Sequence, residues 1–113
     1  MHAASIHRPF DLIGMILQIL KIAEHSLEPA YREGDFVMIS KIPVWLGRVQ
    51  PGDTVVFRHP TKGRLIKLVE RVLDDGQAFW VVGLSPDSVD SRAFGPVARR
   101  QVIGKVVAHV SGR

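Results

Sequence analysis

Short apolar runs separated by turn residues fill the chain from residue 36 onward, and this pattern restricts the fold more than any other feature. The runs cover 36–39, 54–57, 65–73, 79–82 and 102–110. Pro51-Gly52 between two runs is typical of a type II turn, and Asp74-Asp75-Gly76 is typical of a hairpin turn. The sequence therefore predicts a mostly β domain.

A different pattern precedes these runs. Residues 12–20 carry no charge, and their apolar side chains would cover nearly every face of a helix. We expect one helix over 10–24, followed by a β core over 26–110, within a single domain 1–113. Spanning a bilayer takes about 20 apolar residues, so this helix is too short to cross. The β core, a second copy of the chain or a membrane surface could cover it.

Composition excludes several classes of site. The chain has 113 residues, no Cys and five His without ligand spacing, so we expect no disulfide, thiol nucleophile or metal site. Its glycines stand singly at turns, so we expect no phosphate loop and no cofactor. The net charge is +4, and the basic residues are scattered along the sequence. Nucleic acid is therefore not an expected partner, and membrane contact should be weak or absent.

Five features follow one another in an order that resembles the catalytic core of signal peptidase I. They are the Ser-x-x-Pro of 26–29, the Gly-Asp pairs of 34–35 and 52–53, Lys67 inside an apolar run, and the Ser-x-Asp-Ser-Arg-x-x-Gly of 88–95. The resemblance covers roughly residues 12 to 110. It implies a small, coiled, barrel-like β-sheet with one N-terminal helix, and a serine endopeptidase.

The resemblance also implies a role for each matching residue. Ser26 would be the nucleophile and Lys67 the base, Ser88 would orient Lys67, and Asp90 with Arg92 would brace the site. A Ser hydroxyl attacks only when a base takes its proton, and a Lys can be that base only as the neutral amine. Apolar neighbours disfavour the ammonium form.

The residues taken alone leave simpler interpretations open. Ser26 could end a helix by bonding the backbone. Lys67 could point outward from a half-buried strand. The segment 90–92 could be an exposed polar turn.

Three positions depart from the family pattern. Glu24 stands where many relatives have a Ser that donates a second hydrogen bond to the oxyanion, and an ionised carboxylate cannot donate. Leu27 replaces the usual Met, which conserves volume. Gly83-Leu84-Ser85 stands where Gly-Asp-Asn usually opens the last motif.

The short stretch between Lys67 and Asp90 leaves room for one hairpin and its loop, without the large inserted domain of long signal peptidases. The chain thus looks like the small anchorless branch, similar to the maturation proteases of nickel-type superoxide dismutase. This implies a cytoplasmic enzyme, acting on a precursor protein whose N-terminal leader binds as an extended strand. Two alternatives stay open: a peripheral membrane-surface signal peptidase, and a non-catalytic repressor-like binding or dimerisation domain. The sequence does not predict an oligomeric state.

Overall fold

Seven strands form one antiparallel sheet in the computed structural model, which describes residues 14–23, 27–28 and 30–112. The strands are β1 (Leu17–Lys21), β2 (Phe36–Ser40), β3 (Thr54–His59), β4 (Gly63–Leu73), β5 (Ala78–Val82), β6 (Val97–Ala98) and β7 (Val102–Val110). Their order in the sheet is β1-β2-β7-β3-β4-β5-β6. The prediction of a mostly β fold is confirmed.

The turns also follow the sequence prediction. Gly52 has a φ of 95°, and the Asp53 amide donates to the Gln50 carbonyl oxygen at 3.0 Å, which closes the turn before β3. The hairpin between β4 and β5 turns through Asp74 and Asp75, whose φ values are 52° and 54°. Asp tolerates this left-handed backbone better than most residues, and such turns match the twist of paired strands.

Two short α-helices lie between strands. They are α1 (Ile42–Trp45) and α2 (Ser91–Phe94). Helix α2 lies within residues 84–96, for which the sequence predicts a loop rich in Ser, Pro and Asp, and β6 follows directly after that segment. Asp90 caps α2, because its side chain accepts a hydrogen bond from the Arg92 amide.

The helix expected over 10–24 is wrong for most of its described residues. Residues 14–16 are helical, but Leu17–Lys21 form β1 and pair with β2 from Leu17↔Ser40 to Lys21↔Phe36. A short run that is apolar on all sides has no helical period, so pairing with a neighbouring strand decides its structure. Residues 10–13 and 24 lie outside the described part of the chain.

Two apolar clusters pack on opposite faces of the sheet. Consecutive residues of a strand point to opposite faces, so Val55 belongs to one cluster and Val56 to the other. The larger cluster is Val44, Val49, Val55, Phe57, Val69, Phe79, Val81, Val97 and Val102. The smaller cluster is Ile22, Leu27, Val37, Ile39, Val56 and Ile66.

Strand β7 joins the two halves of the sheet. It pairs with β2 on one side and with β3 on the other, although it comes last of the seven strands along the chain. A Cβ added at Gly104 would lie 3.1 Å from both Ile39 and the Ser40 carbonyl oxygen. Glycine at this position therefore allows β2 to approach closely.

Candidate active site

Lys67 lies buried on β4. Only 3% of its surface is exposed, and its neighbours Ile66 and Val69 are buried as well. Across the β3–β4 ladder it pairs with Val55, which is fully buried. The interpretation in which Lys67 points outward from a half-buried strand is therefore wrong. Its role as a base stays a prediction.

Ser26 lies outside the described residues, as do Glu24, His25 and Pro29. The nearest described residues with a place in the core are Ile22 on one side and Leu27 on the other. Both are buried in the same cluster as Ile66, the residue before Lys67. The chain thus enters and leaves the segment 24–26 against the smaller cluster, which contains Ile66 and lies on the sheet face opposite to the Lys67 side chain.

Each Gly-Asp pair fastens one side of this region. The Ile22 amide donates to the Asp35 carbonyl oxygen, and the Gly34 amide donates to the Ile22 carbonyl oxygen, both at 2.8 Å. In the second pair, the Gly52 amide donates to the Val69 carbonyl oxygen, and the Val69 amide donates to the Asp53 carbonyl oxygen, both at 2.8 Å. The first pair therefore holds the chain four residues before Ser26, and the second holds β4 two residues after Lys67.

The Asp35 carboxylate adds a link to the last strand. It is 2% exposed, and its Oδ2 lies 2.7 Å from His109 Nε2 on β7. The Gly112 amide donates to Asp35 Oδ1 at 3.2 Å. This Asp therefore joins the start of β2 to the end of β7.

Asp90 is the most heavily bonded side chain of the last motif. It is 1% exposed and accepts from the Arg92 guanidinium at 2.9 and 2.6 Å. It also accepts from the Arg92 amide at 3.0 Å and from the Gly83 amide at 2.8 Å. The hydrogen bond from the Arg92 side chain is the main reason that the pKa of Asp90 is lowered to about 2, and burial opposes it.

These bonds fasten the last motif to the chain that follows β5, where that strand pairs with the residue after Lys67. Leu68 pairs with Val82, so continuing the antiparallel register places Gly83 level with Lys67. Asp90 thus holds the chain that lies next to Lys67. Ser88, in the same loop, is half-buried and its amide donates to the Ser85 carbonyl oxygen at 3.1 Å. The interpretation of 90–92 as an exposed turn fails for Asp90 but describes Arg92, whose side chain is 58% exposed.

An apolar groove lies on the sheet face of the smaller cluster. It has a volume of about 470 Å³ and runs between Ile19–Ala23 of the β1 region and Arg64–Ile66 of β4, over Val37 and Val56. Strand β1 is the outer strand of the sheet, and β5 pairs with β4 only from Leu68 onward. The groove therefore opens on the sheet face of Val56 and Ile66, whereas the side chain of Lys67, which lies opposite Val55, points to the other face, that of the larger cluster.

Two further properties of the described residues bear on the site. They contain no group of three or more His, Cys, Asp or Glu side chains placed to hold a metal ion. No helix within residues 14–23, 27–28 and 30–112 has the length and apolar character needed to cross a membrane.

Comparison with models of protein families matches residues 4–73 to the family described as signal peptidase, peptidase S26. The chain belongs to this peptidase family. The resemblance to the signal peptidase family is thereby confirmed, and the protein is a serine peptidase of the signal peptidase type. No curated protein matches the chain.

The match to the S26 family covers one part of the site. Ser26 and Lys67 lie inside residues 4–73, whereas Ser88, Asp90 and Arg92 lie beyond them. Assignment of those three residues to the peptidase site therefore depends on the geometry and on the motif. The narrower assignment to the nickel superoxide dismutase branch stays a prediction.

The sequence did not indicate that Ser91 of this peptidase has a structural role. Ser91 is 2% exposed, and its Oγ accepts a hydrogen bond from the Val81 amide of β5 at 2.9 Å. Together with the bond between Asp90 and the Gly83 amide, this contact fastens α2 onto the end of β5. A polar residue in a Ser-rich loop is usually exposed, so nothing in the sequence marked Ser91 as buried.

The low pKa of Asp90 predicts a pH-dependent share of stability. A carboxyl whose pKa is lower in the folded state stabilises the fold above its unfolded pKa, near 3.9, and loses this effect as the pH falls toward about 2. We expect Asp90→Asn to be less stable than wild type at about pH 6. The difference in unfolding free energy between the two proteins, measured by urea unfolding, should shrink as the pH falls from about 4 to about 2. A difference that stays constant over this range would contradict the assignment.

Proposed function

We propose that this S26 peptidase is an endopeptidase that removes an N-terminal leader from a precursor protein, with Ser26 as nucleophile and Lys67 as general base. The observation that carries the proposal is the nearly complete burial of Lys67 within the apolar strand β4. Lysine is rarely buried this completely, and a buried charge is more often retained for a function than for stability.

The proposed reaction proceeds through an acyl-enzyme. Neutral Lys67 takes the proton of Ser26 Oγ as that oxygen bonds to the scissile carbonyl carbon. The protonated Lys67 then gives this proton to the leaving amine as the peptide C–N bond breaks. Water, deprotonated by the same lysine, hydrolyses the ester and restores Ser26.

Stabilisation of the oxyanion would come first from the Ser26 amide, as in the family. Glu24 stands at the position where many relatives have a second donor, and its carboxylate cannot take that role. We therefore expect a backbone amide or a water molecule to be the second donor.

The leader is proposed to bind as an extended strand along an edge of the sheet, and β1 is one of the two edge strands. Peptides commonly bind such sites by adding a strand to a sheet edge. Small side chains before the cut are what the family leads us to expect.

The last motif is proposed to position the base. Ser88 would hold the Lys67 amine through its hydroxyl. Asp90 and Arg92 would fix the loop from Gly83 to Asp90, as their hydrogen bonds indicate. Ser88→Ala should lower turnover strongly with little change in substrate affinity, because it would disturb the base and leave the sheet edge that binds the leader intact.

The narrower identity of the substrate follows from the resemblance. Similarity to the small anchorless branch leads us to expect a cytoplasmic enzyme, for which the precursor of nickel superoxide dismutase is one candidate substrate. No metal or cofactor takes part in the proposed chemistry.

A comparison of N-terminal peptides tests the proposed function. We expect cells with the wild-type protein to contain one or more processed N-termini that are missing from cells with Ser26→Ala. The unprocessed form of the same protein should accumulate instead. Identical N-termini in both cells would contradict the proposal and favour the binding or dimerisation domain.

A further inference from the structure

Four cationic side chains from separate parts of the chain surround one depression, which we call the basic cleft. It has a volume of about 750 Å³. Its cationic residues are Lys41, Arg58, Arg64 and Arg100. They come from the end of β2, from β3, from β4 and from the turn before β7, so the folded sheet gathers charges that are dispersed along the sequence.

The basic cleft and the Lys67 side chain lie on opposite faces of the sheet. Arg58 comes two residues after Val56 on β3, and alternate residues of a strand share a face. By the same alternation, Arg64 shares the face of Ile66 on β4. Both arginines therefore lie on the face of the smaller cluster, and a ligand between them would not occupy the space around the Lys67 amine.

The charges of the basic cleft have no carboxylate partner within the described part of the chain. The ion pairs found there join other residues: Arg71 with Glu70, Arg92 with Asp90, Lys105 with Asp53, and His109 with Asp35. Arg58 lies directly opposite Arg64 in the β3–β4 ladder, and like charges at directly opposed positions destabilise a sheet. An anion bound between these two side chains would relieve their repulsion.

Two neutral side chains of the basic cleft also present hydrogen-bond donors. The amides of Thr61 and Lys62 donate to His59 Nδ1 at 3.1 and 3.2 Å, which leaves the proton of the neutral ring on Nε2. The Gln101 side-chain oxygen accepts from the Ala98 amide at 2.8 Å, which leaves the NH₂ group of this side chain on the other side. Both residues line the cleft, so they add N–H groups to its cations.

The turn that carries Arg100 is fastened on both sides. Before it, the Arg99 guanidinium donates to two carbonyl oxygens of α1 at 3.1 and 2.8 Å. After it, Gln101 Nε2 donates to the Arg58 carbonyl oxygen at 3.2 Å. The fold itself therefore holds Arg100 near Arg58, and a ligand would not have to bring these charges together. Such preorganisation favours binding.

We propose that the basic cleft binds a linked phosphate group, that is, a diphosphate or triphosphate. Such a group carries several negative charges on closely spaced oxygen atoms, which suits a cleft with several cations and further N–H donors. Arginine is well matched to phosphate, because its planar guanidinium can hold two oxygen atoms through parallel hydrogen bonds. This inference goes beyond the proposed peptidase function and does not depend on it.

The lining of the basic cleft favours a phosphate chain over a nucleic acid strand. Sites for single-stranded nucleic acid combine basic residues with Phe, Tyr or Trp rings on which bases stack. Among the described residues that line the basic cleft, none is of these three types. Recognition would therefore depend on the phosphates and not on a base.

Calorimetric titration with inorganic triphosphate tests the proposal on the wild-type protein, in buffer free of divalent cations. We expect triphosphate to bind at least about tenfold more tightly than orthophosphate, because it contacts more of the cations. Added sodium chloride should weaken this binding. Saturating triphosphate should also raise the melting temperature by several degrees, since it binds the folded chain.

Two double variants with the same change of net charge locate the effect. Arg58→Gln with Arg64→Gln should weaken triphosphate binding at least about tenfold. Without ligand, this variant should melt at an equal or higher temperature than wild type, since it removes a repulsion. Arg32→Gln with Arg48→Gln replaces two exposed arginines outside the basic cleft and should keep the binding. An equal loss in both double variants would show that only the overall charge matters and would overturn the proposal.

Further probes identify the source of the phosphates. Tighter binding of ATP than of triphosphate would support the proposal with a nucleotide as ligand, and equal binding would support it with the phosphate chain alone. Equal affinity for triphosphate and orthophosphate, or no binding of either, would contradict it. Tighter binding of oligothymidylate, of a polyglutamate peptide or of anionic lipid vesicles would assign the cleft to another polyanion, and the inference would be wrong. None of these outcomes changes the proposed peptidase function, which Ser26→Ala tests.

Discussion

Replacing Lys67 by methionine is expected to abolish cleavage in a protein that stays folded. Methionine has a similar length and suits buried apolar surroundings, but it cannot take a proton from Ser26. Removing one member of a catalytic unit typically lowers the rate by about 10⁴-fold or more. The rate of leader cleavage, followed by mass spectrometry, gives the loss of activity, and circular dichroism checks the fold.

Lys105 provides a matched control for this substitution. It also pairs with Val55, but from β7 on the other side of β3, and it contacts Asp53 at 3.3 Å. Lys105→Met should therefore keep most of the activity. Ser26→Ala should be as inactive as Lys67→Met, and the double variant should lose little more, because the two residues would act as a unit. Activity that survives Lys67→Met but disappears when His25, His59 or His109 is replaced would point to a histidine base.

Replacing Asp90 by alanine is the second large effect we expect. The substitution leaves the amides of Gly83 and Arg92 without their acceptor, and an unsatisfied donor of this kind costs about 2 kcal/mol. Turnover should fall as well, because Gly83 lies level with Lys67. Urea unfolding and leader cleavage measure the two effects.

Asp87 is the control within the same loop. Asp87 is exposed. Its backbone amide donates a hydrogen bond to Ser85 Oγ at 3.3 Å, and replacing the side chain leaves that bond in place. Asp87→Ala should change stability by less than about 0.5 kcal/mol. If both alanine variants unfold at the same urea concentration, the bracing role of Asp90 is wrong.

Strands β2, β3, β4, β5 and β7 could be predicted because their local signals agree, whereas the two-residue β6 was not predicted. Apolar runs, glycines at positive φ and the Asp74–Gly76 turn all indicate the same hairpins. The region of β1 could not be predicted in this way. Its run of Leu and Ile is too short and too evenly apolar to distinguish a helix from a strand, and only the edge of β2, distant in sequence, decides the outcome.

The candidate site could be predicted at the position where a charged residue interrupts an apolar run. Lys67 is a charge inside an apolar run, and a charge in that position indicates either an exposed face or a function. Ser91 could not be predicted in this way, because it stands among other polar residues. The grouping of Lys41, Arg58, Arg64 and Arg100 around one depression was also not predictable, because these residues meet only when the end of β2, strands β3 and β4 and the turn before β7 come together.

The place of β7 in the sheet has a consequence for how this peptidase becomes active during its synthesis. β1 and β2, next to the segment that contains Ser26, lie on one side of β7, whereas β3 to β6, including Lys67, lie on the other. Residues 102–110 are synthesised after the other six strands. The part of the sheet formed by β1 and β2 therefore has no strand that joins it to β3–β6 until β7 has been made. Sheets built from pairings distant in sequence also form slowly. A nascent chain should therefore be unable to cut any leader, including those of neighbouring precursors, until its last strand has emerged and inserted.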